Sequence, residues 1–499
     1  MTAPPAALTS AEMPRLFAAL AFLACALPAA AQPAPDLELG ETTFPNSGAP
    51  EAQEPFLRGV LLLHSFEYDD AREAFQEARR IEPDFGMAAW GEAMTHNHPV
   101  WQRQDREAAL AALESLGAGW AEAGETARED AYLATLAVLY GEGAKEDRDD
   151  AYALAMRDLA ARFPDDLDAQ AFYALALLGT AHEGRDYGVY MRAAAVAEEV
   201  FDRNPRHPGA AHYLIHAYDD PVHAPLGLRP ARVYADVAPA ASHALHMPSH
   251  ITLALGMWEE TAEMNRRSFE AAKANTDRKG RALNGHGWHA LWWWHYAATQ
   301  LGDAALARDL FDRALALAGD DPDETATAHV ARIRAQQALG AGDADAVVAE
   351  RGGPFETVYD AYTVALHATA HGAPEDGRVA ADAVAAFADE HHGARPSDQA
   401  AALQVEAALK RAEGDDEGAL ALLREAAEIE AATPLMFGPP APVIPSHEAL
   451  GLALLDLGRY DEAAAAFEAG LERAPNRRQS VEGLDRAWAA DGRGGAAGR

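Results

Sequence analysis

Residues 59–83 read GVLLLHSFEYDDAREAFQEARRIEP, and residues 451–475 read GLALLDLGRYDEAAAAFEAGLERAP. The two stretches stand near opposite ends of the chain yet share one register. Gly59, Tyr68, Ala71, Phe75, Ala78 and Pro83 of the first correspond to Gly451, Tyr460, Ala463, Phe467, Gly470 and Pro475 of the second. Small residues at these spacings let two antiparallel helices approach closely, and the proline ends the second helix. Ala307, Phe311 and Ala314 continue the pattern, and Ala419, Leu423 and Ala426 follow it more loosely. Between these anchors, Ala-rich amphipathic segments alternate with short Gly, Pro or Asp breaks, and no alternating strand pattern appears. The chain therefore reads as all-α, with longer breaks expected near Asp147, Tyr187, Asn275 and Pro434.

The repeated positions resemble the tetratricopeptide repeat (TPR). That resemblance implies a right-handed, TPR-like helical-hairpin solenoid with degenerate central repeats, in which the first helix of each repeat lines an inner groove. On this reading, residues 1–31 are a leader and secretory signal peptide and residues 32–53 a polar N-terminal segment. Residues 54–489 form one solenoid, with a His-rich groove at about 204–300, and residues 490–499 are a disordered tail.

Met13 and Arg15 precede an apolar run, Leu16 to Leu27, and then Pro28-Ala29-Ala30-Ala31, the pattern of a secretory signal cleaved near Ala31. A periplasmic or secreted location is expected, with acylation at Cys25 as the less favoured alternative. Cys25 is the single cysteine, so the chain beyond the signal has neither disulfides nor thiolate ligands, and a metal site must use His, Asp, Glu or Met. The formal charge is −37 and lysine is confined to Lys145, Lys273, Lys279 and Lys410, which leaves no basic footprint for nucleic acid. No later run is long and apolar enough for an integral membrane span.

Histidines crowd one segment: His207, His212, His216, His223, His243, His246 and His250. Pro205 and Pro239 lie 34 residues apart, one TPR period. His212 and His216 follow Pro205 by seven and eleven residues, and His246 and His250 follow Pro239 by the same offsets. Each pair has the i, i+4 spacing that stacks two side chains on one helical face. The TPR resemblance turns those faces into the groove, so imidazoles from two neighbouring helices about 9 Å apart should converge. Pro248 falls between His246 and His250 in an expected helix, a local rule broken where function can demand it.

Two readings stand side by side. In one, His212, His216, His243, His246 and His250 hold a transition-metal ion, with Asp219, Asp220, His223 or His289 completing or orienting the shell. Zinc, copper and iron remain equally open. In the other, the same histidines form a polar groove satisfied by carbonyls and carboxylates.

The same repeat count places Trp90, Asn97, His98, Trp292 and Tyr296 on the groove wall, although Asn97 and His98 also suit a helix end stopped by Pro99. His64 reads as a satisfied core residue. The Pro-rich stretch Phe437–Glu448 reads as a linker, or as a lid over the groove.

Standard hydrolase, nucleotide-binding and Cys-nucleophile motifs are absent. A metal-dependent hydrolase or oxidoreductase remains open, with Asp220, Glu92 or Glu448 as a remote base. The string His212-Tyr213-Leu214-Ile215-His216, Asp220-Pro221, Gly227-Leu228, Tyr234-Ala235, Ala238-Pro239 and His243-Ala244-Leu245-His246-Met247-Pro248-Ser249-His250 resembles a group of exported bacterial TPR proteins. The resemblance implies fold and export and carries no activity. The expected partners are a small-molecule or peptide ligand in the groove, or a protein. The alternative function is a metal-free TPR protein-interaction scaffold.

Overall fold

In the computed structural model, Phe75 is wedged between two glycines. A Cβ added at Gly59 would stand 2.7 Å from the Phe75 ring, and one at Gly91 2.3 Å from it. The C-terminal repeat is built alike: a Cβ at Gly451 would meet Phe467 at 2.7 Å and one at Gly483 would meet it at 2.3 Å. Each phenylalanine thus fills the gap that a missing side chain opens on the helix before it and the helix after it. Both rings are fully buried, which favours the hairpins by about 1.5–3 kcal/mol apiece.

The structure describes Met1 and residues 38–347, 355–390, 395–435 and 437–491. The secretory-signal reading, Cys25 and the tail from residue 492 lie outside them. From Pro50 onward, helices follow one another as hairpins: Pro50–His64 with Tyr68–Ile81 at one end, and Ser446–Asp456 with Tyr460–Arg473 at the other. The all-α, TPR-like helical-hairpin solenoid expected from the repeats is the architecture observed. The strands described are the two-residue pair Asn97–His98 and Arg103–Gln104, an antiparallel turn after the helix Gly86–Met94. None of the described helices is long and apolar enough to cross a membrane.

Two features close the array around its middle. Residues 38–49 run across the early helices: Leu39 and Phe44 are buried, the Glu41 amide donates to the Arg206 carbonyl at 2.9 Å, and Thr42 Oγ1 donates to Asp168 at 2.6 Å. The C-terminal repeat packs back on the central helices Trp258–Arg278 and Gly285–Leu301. There Trp258 Nε1 donates to the Asn476 carbonyl at 2.9 Å, and the Arg478 amide donates to Gln300 Oε1 at 3.0 Å.

The centre of the array holds the helices Pro208–Tyr218, Ser242–His246, Pro248–Ala254 and Gly285–Leu301. Pro248 divides what would be one helix into two, since it supplies no amide proton to the ladder. Met247, between the halves, keeps right-handed helical angles (φ −53, ψ −38). The chain therefore continues in nearly the same direction, and His246 and His250 stay one turn apart.

Candidate metal centre

His212 and His216 come from the Pro208–Tyr218 helix, His243 and His246 from Ser242–His246, His250 from Pro248–Ala254 and His289 from Gly285–Leu301. The first five are each no more than 4% exposed, and His289 is partly exposed. The donor atoms of His212, His216 and His243 all lie within 4.8 Å of one another, as do those of His246, His250 and His289. His216, Asp219 and His250 form a third such set, joining the first two.

Hydrogen bonds decide which nitrogen each ring turns inward. His250 Nδ1 faces Asp219 Oδ2 at 2.8 Å, and a carboxylate only accepts, so Nδ1 carries the proton and Nε2 the lone pair. His246 Nδ1 faces Asn265 Oδ1 at 2.6 Å, and Asn265 Nδ2 donates to the Thr261 carbonyl at 2.8 Å, which fixes the amide orientation. His246 Nδ1 is therefore protonated too. The two Nε2 atoms, both left with lone pairs, stand 3.1 Å apart. His212 follows the same logic: Nδ1 donates to the His64 carbonyl at 2.7 Å, leaving Nε2 free.

Among the described residues, His212 Nε2, both ring nitrogens of His216 and His243 Nε2 have no hydrogen-bond partner. A buried polar atom left unpaired costs about 1–3 kcal/mol, so four within one cluster call for an occupant.

The surroundings are aromatic. Phe66 packs against His212 at 4.2 Å and against His216 and His243 at 5.7 Å between ring centroids. Trp293 lies 4.7 Å from both His246 and His250, and Phe437 covers His250 at 5.4 Å and His216 at 6.1 Å. Burial in this setting lowers the pKa of His212 to about 3 and that of His246 to about 4, although a hydrogen bond to the His64 carbonyl and one to Asn265 respectively pull the other way. His216, His243, His250 and His289 are pushed well below the ordinary value, first by burial and then by neighbouring imidazoles. Neutral imidazoles are the ligand-competent form.

Comparison with known proteins bears on the scaffold. The description of the tetratricopeptide repeat matches residues 445–477. The chain carries a TPR. No curated protein sequence matches the chain. Solved structures that resemble it include the APC/C hetero-tetramer Cut9-Hcn1, at 12% identity over 90% of this chain and 78% of that one, with a TM-score of 0.36. Yeast Tom70 resembles it at 13% identity over 88% of each chain, with a TM-score of 0.35. Likenesses this loose transfer neither partner nor activity. The protein is thus a TPR-type helical-repeat scaffold with histidine groups able to hold a metal ion.

The other residues singled out in the TPR groove fall into three places. Asp219 and His289 join the cluster; Asp219 also pairs with Arg185, whose guanidinium lies 4.3 Å over Tyr190. Trp292 borders it, 5.7 Å from His289 and beneath Arg332. Asp220 instead shapes its turn, accepting from the Val222 amide at 3.0 Å and from His223 Nδ1 at 2.9 Å and pairing with Arg185 at 3.3 Å, while His223 packs 5.2 Å from Tyr187 and joins none of the three sets.

Glu92 pairs with Arg79 and accepts from Gln76 at 2.9 Å, and Glu448 is gripped by Arg477 at 2.8 Å through both oxygens. Tyr296 joins that second network by accepting from Arg477 at 3.1 Å. None of these contacts reaches the histidines. Trp90 packs in the core against Phe44, Tyr132 and Phe172 because its helix is buried on every side. His98 stacks on Tyr68 at 3.9 Å, and Asn97 accepts from Gln104 at 3.0 Å and lines a cavity with Phe66, Tyr68, Met94 and Tyr152.

Four contributors escape sequence reasoning: Phe66, Asn265, Trp293 and His286, whose ring lies 4.8 Å from His243 and whose Nε2 donates to the Phe66 carbonyl at 3.2 Å. His286 opens the same helix as His289, one turn earlier, and that spacing was the available signal.

Proposed function

We propose that this protein is an exported TPR-type scaffold whose central imidazole cluster holds a transition-metal ion, for metal binding or a metal-dependent reaction on a small or peptide-like substrate. The observation that carries the reading is the His246 Nε2 to His250 Nε2 approach of 3.1 Å. Two neutral imidazoles with fixed Nδ1 protons turn lone pairs toward each other there, a repulsive arrangement unless a cation lies between them. Two donors each about 2.05 Å from an ion and 3.1 Å apart subtend about 98° at it, between tetragonal and tetrahedral angles. His289 supplies a third nitrogen, and its partial exposure leaves a direction from which a fourth ligand arrives.

Asp219 and Asn265 fit the role of outer partners that orient metal-bound imidazoles. A bound ion would supply Lewis acidity or a redox couple. With Cys25 the single cysteine and inside the expected leader, imidazole and carboxylate are the main ligands the remaining chain can offer.

Elemental analysis of tag-free protein purified from its export compartment tests the reading, together with the mass of its N-terminus, expected near Gln32. At least one zinc, copper or iron ion per chain is expected, and His246→Ala and His250→Ala should each lose the ion held between those two rings. Wild-type protein that carries no metal and gains none on addition would overturn the metal centre. An intact leader would overturn export.

A further inference from the structure

The metal reading leaves half of the cluster unexplained. A tetrahedral ion takes four ligands, and the cluster offers six imidazoles in two sets that share no residue: His212, His216 and His243, and His246, His250 and His289. The first set has its own sign of a missing occupant. His212 Nε2, both nitrogens of His216 and His243 Nε2 are buried without a partner among the described residues, and His212 Nδ1 is tied to the His64 carbonyl so that its free nitrogen is aimed inward.

From this we infer that the chain holds two first-row transition-metal ions side by side, each on three neutral imidazoles. The inference rests on the metal reading above and extends it from one ion to a pair.

The alternative of one ion on His216, Asp219 and His250 competes for the same space. Asp219 is committed elsewhere: it pairs with Arg185 through one oxygen and accepts the His250 Nδ1 proton at 2.8 Å through the other. Recruiting it as a ligand would leave the Arg185 side chain, only 3% exposed, with Asp220 at 3.3 Å as its remaining counter-charge, and would release the His250 ring. As an outer partner it instead serves both sets. It orients His250 of one, lies 4.0 Å from His216 of the other, and supplies negative charge beside two cations whose ligands are all neutral. The sets meet where the rings of His216 and His250 are 5.6 Å apart and those of His243 and His246 are 5.9 Å apart. The two sets are therefore direct neighbours in the same buried cluster.

Chelator-stripped full-length protein titrated with Co(II) tests this, with ions counted by native mass spectrometry and coordination followed by visible d–d absorption. Two Co(II) per chain are expected in the wild type, one in His243→Leu and one in His289→Leu, with different spectra for the two single-ion forms. Leucine fills the space an alanine would leave empty, and circular dichroism reports whether each variant is folded. Binding that stops at one ion in the wild type would overturn the pair while leaving the metal reading intact, and no binding at all would overturn both. If His243→Leu still takes two ions, the assignment to that set is wrong. If neither variant folds, the wild-type count decides.

Discussion

Asn265 determines which way His246 points. Its Oδ1 accepts from Nδ1 at 2.6 Å while its own amide is anchored on the Thr261 carbonyl, so the imidazole can neither rotate nor change tautomer without losing a buried hydrogen bond. Asn265→Leu keeps the volume and removes the acceptor. Loss of such an outer partner weakens metal affinity about 10–100-fold. The prediction is a fall of that size in Co(II) or Zn(II) affinity with bound stoichiometry unchanged, measured by competition with a chromophoric chelator; wild-type affinity in the variant would show that the bond does not orient the ring. The histidines themselves were legible in the sequence because two pairs recur at one repeat offset. Asn265 was not, since it sits on the following helix and periodicity does not say which of that helix's polar residues meets a given ring. Asp219 was legible only as a neighbour of the cluster, its choice of Oδ2 for His250 being a fact of packing.

At the scale of elements, the repeat was readable because its small residues are steric necessities. An alanine Cβ at Gly91 would lie 2.3 Å from Phe75 Cε1. Helix propensity alone favours Gly→Ala by about 1 kcal/mol, while overpacking a filled site costs about 1–3 kcal/mol. The clash should win, lowering the thermal midpoint in Gly91→Ala, with Phe75→Leu in the same chain restoring part of the loss. An increase in midpoint would mean that Phe75 moves aside freely and that the glycine is not what sets the helix spacing. The break at Pro248 was equally readable. Its outcome was not: whether the chain turns away or runs straight on depends on Met247, which stays helical and so keeps His246 and His250 facing each other. Trp90 shows the opposite case. The repeat count puts it on a wall, but the Gly86–Met94 helix is enclosed on all sides and has no free face to offer a groove.

Across the whole molecule, two electrostatic terms of opposite sign govern the metal-free protein. Burial lowers His64, His246 and His295 to about 4 and His212 to about 3, against 6.5 for an exposed imidazole. The unfolded chain therefore takes up protons first as pH falls, and stability drains away from about pH 6.5 until the folded-state values near 4 are reached. Each such group costs about 1.4 kcal/mol at pH 5.5, and four together lower the melting temperature of a chain this long by about 6 °C. Against this, a formal charge of −37 repels itself in the folded state, and acidification relieves that repulsion. Salt separates the two. At about 1 M the screening length is about 3 Å, so surface repulsion largely disappears while the cost of charging a buried imidazole remains. Chelator-stripped protein in high salt should thus melt about 6 °C lower at pH 5.5 than at pH 7.5 by calorimetry. A melting temperature independent of pH under those conditions would mean that the imidazoles are already protonated or hydrated in the folded chain, and the neutral ligand set would go with them.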